Sequence, residues 1–320
     1  MKILIHCGSG NTDRPNRWST INNIFSDLGE SLIQLGHEVS LMVHSAAKQP
    51  RNDKSPINVL VSDTVSTEFI DNVNPDACIT WNGNSDGDRV FIDYVGKDKM
   101  IYGELGFFGH YDKTCYFDRC GVNTRHSIIG TNFSTTTFDK PILLNEPSDD
   151  KKICQKLQDT FIKPRLFSEP YIFVPLQDET DTQIVQYSPF KTMDEFLHHV
   201  FDIFRFDERT ILYKVHPRAP APITLNNPRV IEVKDNVHHY IPYADFVFGL
   251  NSTVMVEALL YHSRVITYGC GISSRHFSDN ADRQAFVAEM YRRQMKWEDL
   301  KNPDSVKNSY LYSNILARIA

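Results

Sequence analysis

Ala244 to Gly269 reads ADFVFGLNSTVMVEALLYHSRVITYG, and the order of its parts decides the fold class. Phe246 to Leu250 is an unbroken apolar run of strand length, Val265 to Tyr268 is a second, and Val254 to Tyr261 between them carries helical spacing. Asn251, Ser252 and Thr253 supply the amide and hydroxyl caps that open such a helix. The unit is therefore strand, polar turn, helix, strand. At the turn, unpaired backbone N–H groups and the positive end of the helix dipole face whatever lies beyond the strand's carboxyl end, which suits a phosphate. Glu257 lies one turn after Thr253 on the same face, where a carboxylate can accept hydrogen bonds from a ribose diol. An ordinary capped crossover helix would carry the same residues, and this stretch does not separate the two.

With 320 residues the chain can hold two domains of about 150 residues, each with its own core. Its 41% hydrophobic and 23% charged residues are those of a globular protein, and a net charge of −6 argues against a nucleic-acid binder, which would need a basic stripe. Any anion must then be held by local basic residues. The six cysteines (Cys7, Cys78, Cys115, Cys120, Cys154, Cys270) form no CxxC pair and no zinc spacing, so reduced thiols are expected. MKILIHCG at the start reads as a strand rather than a signal peptide, and no run approaches the roughly 18 apolar residues of a membrane span. A cytoplasmic protein is expected, with peripheral contact at the inner membrane left open.

Outward from the opening stretch, the first half alternates in the same way. Lys2 to His6 is a strand, and Gly8 to Arg17 a polar loop that suits the acceptor side of a cleft. Ile21, Ile24, Phe25, Leu28, Leu32 and Leu35 mark a helix that Gly36 ends, and Val39 to Val43 is the next strand. Ile57 to Val61, Ala77 to Trp81 and Met100 to Gly103 follow as strands. The turn Trp81-Asn82-Gly83 sits at a strand's carboxyl end, where open α/β sheets bind ligands. Asp86-Gly87-Asp88 has the look of a metal-binding DxD, but no further oxygen ligands stand at a recognisable spacing, and a solvated turn is the better reading. Glu104, at the end of its strand and followed by a glycine at 106 that lets backbone approach a ligand, is placed either as a catalytic carboxylate or as a surface glutamate.

The second half opens with the strand Tyr171 to Leu176 and then Gln177-Asp178-Glu179-Thr180-Asp181, whose crowded carboxylates repel one another unless a donor or cation meets them or water simply solvates them. Thr192 to Phe204 is an amphipathic helix with His198 and His199 at its edge. Thr210 to Val215 is a strand ending in His216-Pro217-Arg218, where the proline fixes the histidine's direction and Lys214 and Arg218 make a local basic patch for a phosphate leaving group. Arg283 to Met295 is a closing helix whose Arg292-Arg293-Gln294 reads as a solvated face.

Five blocks recur in a fixed order: Trp81-Asn82-Gly83; Glu104-Leu105-Gly106-Phe107-Phe108 with Asp118 to Asn123; Val174-Pro175-Leu176-Gln177 with Asp181; Lys214-Val215-His216-Pro217; and Asn251 to Leu259. In that order and spacing the chain resembles the capsule polysaccharide biosynthesis family, the retaining β-Kdo transferases that use CMP-activated 3-deoxy-octulosonic acid. Val215 stands where a proline is frequent, Leu105 where a polar residue is common, and Asp178-Glu179 make the glutamine block unusually acidic. The resemblance implies an α/β, GT-B-like fold, two Rossmann-like domains facing across a cleft. It places an acceptor-side domain at 1–165, a nucleotide-sugar-binding domain at 166–300 and a helical tail at 301–320 that packs back on the first.

The same resemblance implies Asp181 as nucleophile, Glu104 as acid/base and His216 as donor to the departing phosphate. Gln177, Lys214, His216, Pro217, Asn251, Ser252, Thr253 and Glu257 would hold the donor, and Trp81, Asn82, Gly83, Gly106 and Asn123 would line the acceptor side. No cofactor or metal is expected, because His216, Lys214 and the helix dipole can offset the leaving group's charge. The expected partners are a CMP-activated sugar and a glycan or glycolipid acceptor, with no nucleic acid and with membrane or biosynthetic-complex association open. A transferase for another nucleotide sugar, sialyltransferase-like, and a noncatalytic glycan-binding scaffold are the alternatives.

Overall fold

The computed structural model describes residues 1–8, 15–45, 56–109, 113–130, 149–217, 222–262 and 264–318. In chain order the first half builds β1 (Lys2–Cys7), α1 (Pro15–Gln34), β2 (Glu38–His44), β3 (Asn58–Ser62), α2 (Thr67–Val73), β4 (Ala77–Trp81), α3 (Asp86–Val95), β5 (Met100–Leu105) and β6 (Thr114–Asp118). The second half builds α4 (Asp150–Phe161), β7 (Tyr171–Pro175), α5 (Thr182–Tyr187), α6 (Met193–Ile203), β8 (Thr210–Lys214), β9 (Val230–Glu232), β10 (Phe246–Leu250), α7 (Thr253–Ala258), β11 (Val265–Tyr268) and α8 (Asn280–Arg293). The chain ends with β12 (Gln294–Lys296), α9 (Pro303–Lys307) and α10 (Tyr310–Leu316).

The chain divides into two compact units. The first holds residues 1–127 and takes the chain back at Tyr291, ahead of position 301; α4 already lies in the second, ahead of position 166. The return comes early because Gln294–Lys296 pair as an edge strand with β6. Sheet order in the first unit is β12-β6-β5-β4-β1-β2-β3. β1 to β5 run parallel, while β6 lies antiparallel to β5 and β12 antiparallel to β6. Ile3, Leu4 and Ile5 of β1 are all fully buried, as a central parallel strand covered on both faces requires. Ile21, Ile24, Phe25, Leu28 and Leu32 of α1 pack with Ile3 and Ile5, and Val306, Leu311 and Ile315 of the final segment join the same core. Ser31 Oγ donates to the Leu300 carbonyl at 2.6 Å and Asn314 Nδ2 to that of Phe117 at 3.0 Å, which ties that segment down.

The second unit has a five-stranded sheet, all parallel, in the order β11-β10-β7-β8-β9. Two Rossmann-like sheets are thus present, and the α/β, GT-B-like class expected from the sequence is met in them. In each, the order of the parallel strands reverses once, between β1 and β4 in the first and between β7 and β10 in the second. Ligands of open α/β sheets bind at the carboxyl ends of strands beside such a reversal.

One surface reading gives way to buried polar groups. Arg292, Arg293 and Gln294 are 5%, 7% and 7% exposed, not a solvated face. Arg293 Nη1 donates to Ser127 Oγ at 2.8 Å and lies 3.7 Å from Asp118, which also accepts the Ser127 hydroxyl at 2.5 Å. His126 is buried 3.6 Å from Asp118. Burial lowers its pKa from 6.5 to about 4; the nearby Arg293 also lowers it, and the Asp118 charge opposes the shift. Between those two values the unfolded chain takes up a proton that the folded chain refuses, so His126 costs stability as pH falls from 6.5 towards 4 and no more below it. In His126→Gln, the slope of the unfolding midpoint against pH is expected to flatten across this window, measured by thermal melts.

Candidate functional site

In the second unit, three of the sequence blocks meet at the carboxyl ends of β7, β8 and β10, three adjacent strands. β10 is buried from Val247 to Leu250, and a Cβ on Gly249 would overlap the Met255 sulfur, so glycine lets α7 lie directly on its strand. Ser252 is the N-cap and its side chain accepts from Val254 N–H at 3.3 Å; Thr253 is the first helical residue. The helix closes at Ala258 rather than running to Tyr261, so its six residues carry a dipole of less than two turns. Gln177 follows β7 and reaches across the strand-order reversal, its Nε2 donating to the Asn251 carbonyl at 3.4 Å. Asn251 is 7% exposed, with Nδ2 directed at the Gln183 carbonyl. Gly269 at φ +97° and Gly271 leave the room that its amide occupies.

The acidic loop does not crowd its charges. Asp178 accepts from the Thr180 N–H and hydroxyl at 2.9 and 2.7 Å, Glu179 from Met193 N–H at 2.6 Å, and Asp181 caps α5 through Gln183 N–H at 2.8 Å. Each carboxylate has its own donor, so mutual repulsion is not the ruling interaction. His216 and Pro217 lie just beyond β8, His216 half-buried and Pro217 exposed. Lys214 turns its ammonium to the Lys234 carbonyl at 2.6 Å, and burial lowers its pKa from the usual lysine value. Arg218 lies outside the described residues. Glu257 points elsewhere than expected: it is buried, 3.4 Å from His238 Nε2, and that imidazole stacks on Phe161.

In the first unit, Glu104 is the last-but-one residue of β5, half-buried, its Oε1 accepting the Leu105 N–H at 2.9 Å. Trp81 is 1% exposed and packs edge-on against Phe25 at 6.0 Å, so it belongs to the core and does not line a cleft. Asn82 and Gly83 take positive φ (40° and 72°) and turn the chain, with Asn82 N–H bonded to the Gly103 carbonyl at 2.8 Å. Gly106 makes room for protein rather than ligand, since a Cβ there would overlap the Thr114 hydroxyl of β6. Asn123, at φ +50°, donates its N–H to the Tyr116 hydroxyl at 3.2 Å. Gln294 of β12, read in the sequence as part of a solvated face, instead accepts both Phe107 and Phe108 N–H at 3.0 Å through its Oε1 and fixes the loop after Glu104. Asp88 is fully buried, not in a solvated turn: with Ser85 it forms the capping box of α3. The Ser-x-x-Asp spacing was the signal for this. No group of three metal-ligating side chains occurs among the described residues. Positions 9–14 of the acceptor-side loop expected at Gly8 to Arg17 lie outside the described residues.

Residues 148–295 match the sequence model of the capsule polysaccharide biosynthesis protein family. The resemblance drawn from the five blocks holds over that segment, which contains the glutamine, His-Pro and Asn-Ser-Thr blocks. The chain is also 27% identical over 205 residues to protein FixF of Sinorhizobium fredii (strain NBRC 101917 / NGR234), across 60% of this chain and 48% of that protein. It thus spans about half of that relative's length. Two solved structures of Thermosulfurimonas dismutans KpsC are similar in fold. The beta Kdo 2,7 transferase matches at 17% identity with a TM-score of 0.53 over 92% of both chains, and the beta Kdo 2,4 transferase at 11% with 0.55 over 90% of both. At such identities the likeness establishes the fold.

Gly106→Ala is expected to cost about 1–3 kcal/mol by overpacking against Thr114, read as a lower urea midpoint. An unchanged midpoint would mean that β6 yields at no cost.

Proposed function

We propose that the chain is a glycosyltransferase that moves β-Kdo from CMP-Kdo to a sugar acceptor of a bacterial surface polysaccharide or glycolipid, with retention, through an intermediate on Asp181. The observation that carries this reading is the convergence of Gln177 and Asp181, His216 and Lys214, and Asn251 to Thr253 at the ends of three adjacent parallel strands around one strand-order reversal. That convergence lies within the segment that matches the capsule family.

The chemistry assigned to these groups balances. An Asp181 carboxylate oxygen forms a bond to the anomeric carbon while the bond from that carbon to the phosphate oxygen breaks, and CMP leaves with the electron pair. Gln183 N–H holds Oδ1 at 2.8 Å, which leaves Oδ2 for the attack. His216 and Lys214 offset the charge on the departing phosphate, so the reading gives no role to a metal. The acceptor hydroxyl then attacks the same carbon, Asp181 departs as carboxylate, and the hydroxyl proton passes to Glu104. Two inversions leave the configuration unchanged. With Glu257 held by His238, the donor's ribose falls to the other groups of this edge.

A nucleotide that binds only the folded protein raises its melting temperature, by a margin equivalent to about 2.7 kcal/mol at a hundredfold excess over Kd. CMP is expected to do so, UDP is not, and Asn251→Ala is expected to weaken the CMP shift. Stabilisation by UDP and not by CMP would assign the site to a different nucleotide sugar.

A further inference from the structure

A parallel sheet covered by helices carries apolar side chains on both of its faces. At the start of β1 and β2 one face follows this pattern: Ile3, Val39 and Leu41 belong to the core built with α1. The opposite face does not. Lys2 and Glu38 are register partners across β1 and β2, and Ser40 and Asn58 across β2 and β3, so four polar residues lie together there. Above them α2 presents Phe69, Asn72 and Val73, which fall at i, i+3 and i+4 on one side of the helix. Between helix and strands lies a cavity of about 330 Å³, a volume within the range of small-ligand sites. Every residue that lines it is among the described ones.

This lining does not satisfy itself. Ser40 is 9% exposed, and its hydroxyl has no hydrogen-bond partner among the described residues. A hydroxyl so placed costs free energy unless a molecule in the cavity meets it. Lys2 and Glu38 share a rung of the sheet yet form no ion pair among the described residues. One cation and one anion leave the lining neutral, which suits neither a phosphate nor a metal ion. Ser40, Asn58 and Asn72 can each donate and accept, as a set of sugar hydroxyls does. Phe69 is half-buried and supplies a flat apolar face. A pyranose has the matching surfaces, hydroxyls around its rim and C–H bonds on its faces.

We propose that this cavity binds a pyranose residue of a glycan at a site separate from the transfer chemistry. It lies at the amino ends of the strands, whereas Glu104 stands near the carboxyl end of β5. A six-residue strand such as β1 sets those two edges about 20 Å apart. The sugar held here is therefore neither the donor nor the residue that receives transfer, and the cavity anchors a glycan by another of its residues. Recognition of that kind needs no CMP-Kdo, so the inference goes beyond the transferase reading and does not depend on it.

Saturation-transfer difference NMR on the whole chain tests it, with the methyl pyranosides of glucose, galactose, mannose, rhamnose and N-acetylglucosamine as probes and no CMP-Kdo present. At least one probe is expected to receive saturation, most strongly at its ring C–H protons, and saturating CMP is expected to leave the signal unchanged. Phe69→Ala and Asn72→Ala are each expected to weaken the affinity about fivefold or more. Asn72 is exposed on α2, so its replacement keeps the test open if Phe69→Ala does not fold. No saturation of any probe, a signal that CMP displaces, or a signal that Asn72→Ala and folded Phe69→Ala both retain in full would overturn the site. CMP release from CMP-Kdo is read separately, so the loss of this site leaves the transferase reading standing, and the failure of that reading leaves the site.

Discussion

The parallel pairing of β7 with β10 is the constraint on which the second unit's chemistry depends. From β7 the chain builds β8 and β9 to one side, and it then returns to lay β10 and β11 on the other. Loops leaving β7 and β10 therefore diverge, and a crevice opens between them without any side chain having to make it. Gln177 and Asn251 stand on its two sides and are joined by a hydrogen bond of 3.4 Å. Asp181 and His216 take their places from the same edge, the first through the cap of α5 and the second just beyond the end of β8. Shift β10 by one residue and Asn251 would exchange faces, so the apolar pattern of Phe246 to Leu250 sets the chemistry as well as the core.

Glycine performs the same service in both units, permitting two groups to touch. Gly249 admits Met255, Gly106 admits Thr114, and Gly8 admits the imidazole of His6. Gly106 was legible as a special position, and there the group that comes close is Thr114 of a neighbouring strand. A glycine in a sequence shows that something comes close. What comes close is a property of the fold.

Apolar periodicity made most of the strands readable, because a parallel strand buried on both faces has nowhere to place a polar side chain. β4, β10 and β11 lie where their runs put them. β6 and β12 were not legible: Thr114–Asp118 and Gln294–Lys296 are short, carry polar residues and gain their order from antiparallel pairing with each other and with β5. Buried polar groups were the other blind spot. Arg293, Gln294, Asp88 and Asp118 look like surface residues by type, and each is buried because its partners come from distant positions or from a capping box. Glu257 was misplaced for the same reason, since His238 that pairs with it is far off in sequence. In the second unit the strand-end blocks were legible because each sits at a break in the apolar pattern, where a strand must stop.

Intact-protein mass spectrometry after incubation with CMP-Kdo tests the central assignment most directly, with Glu104→Gln used to slow the second displacement. The account predicts an increase in mass of one Kdo residue, mapped by peptide analysis to Asp181 and absent from Asp181→Asn. CMP release without any adduct in Glu104→Gln, at a rate that Asp181→Asn retains, would contradict it.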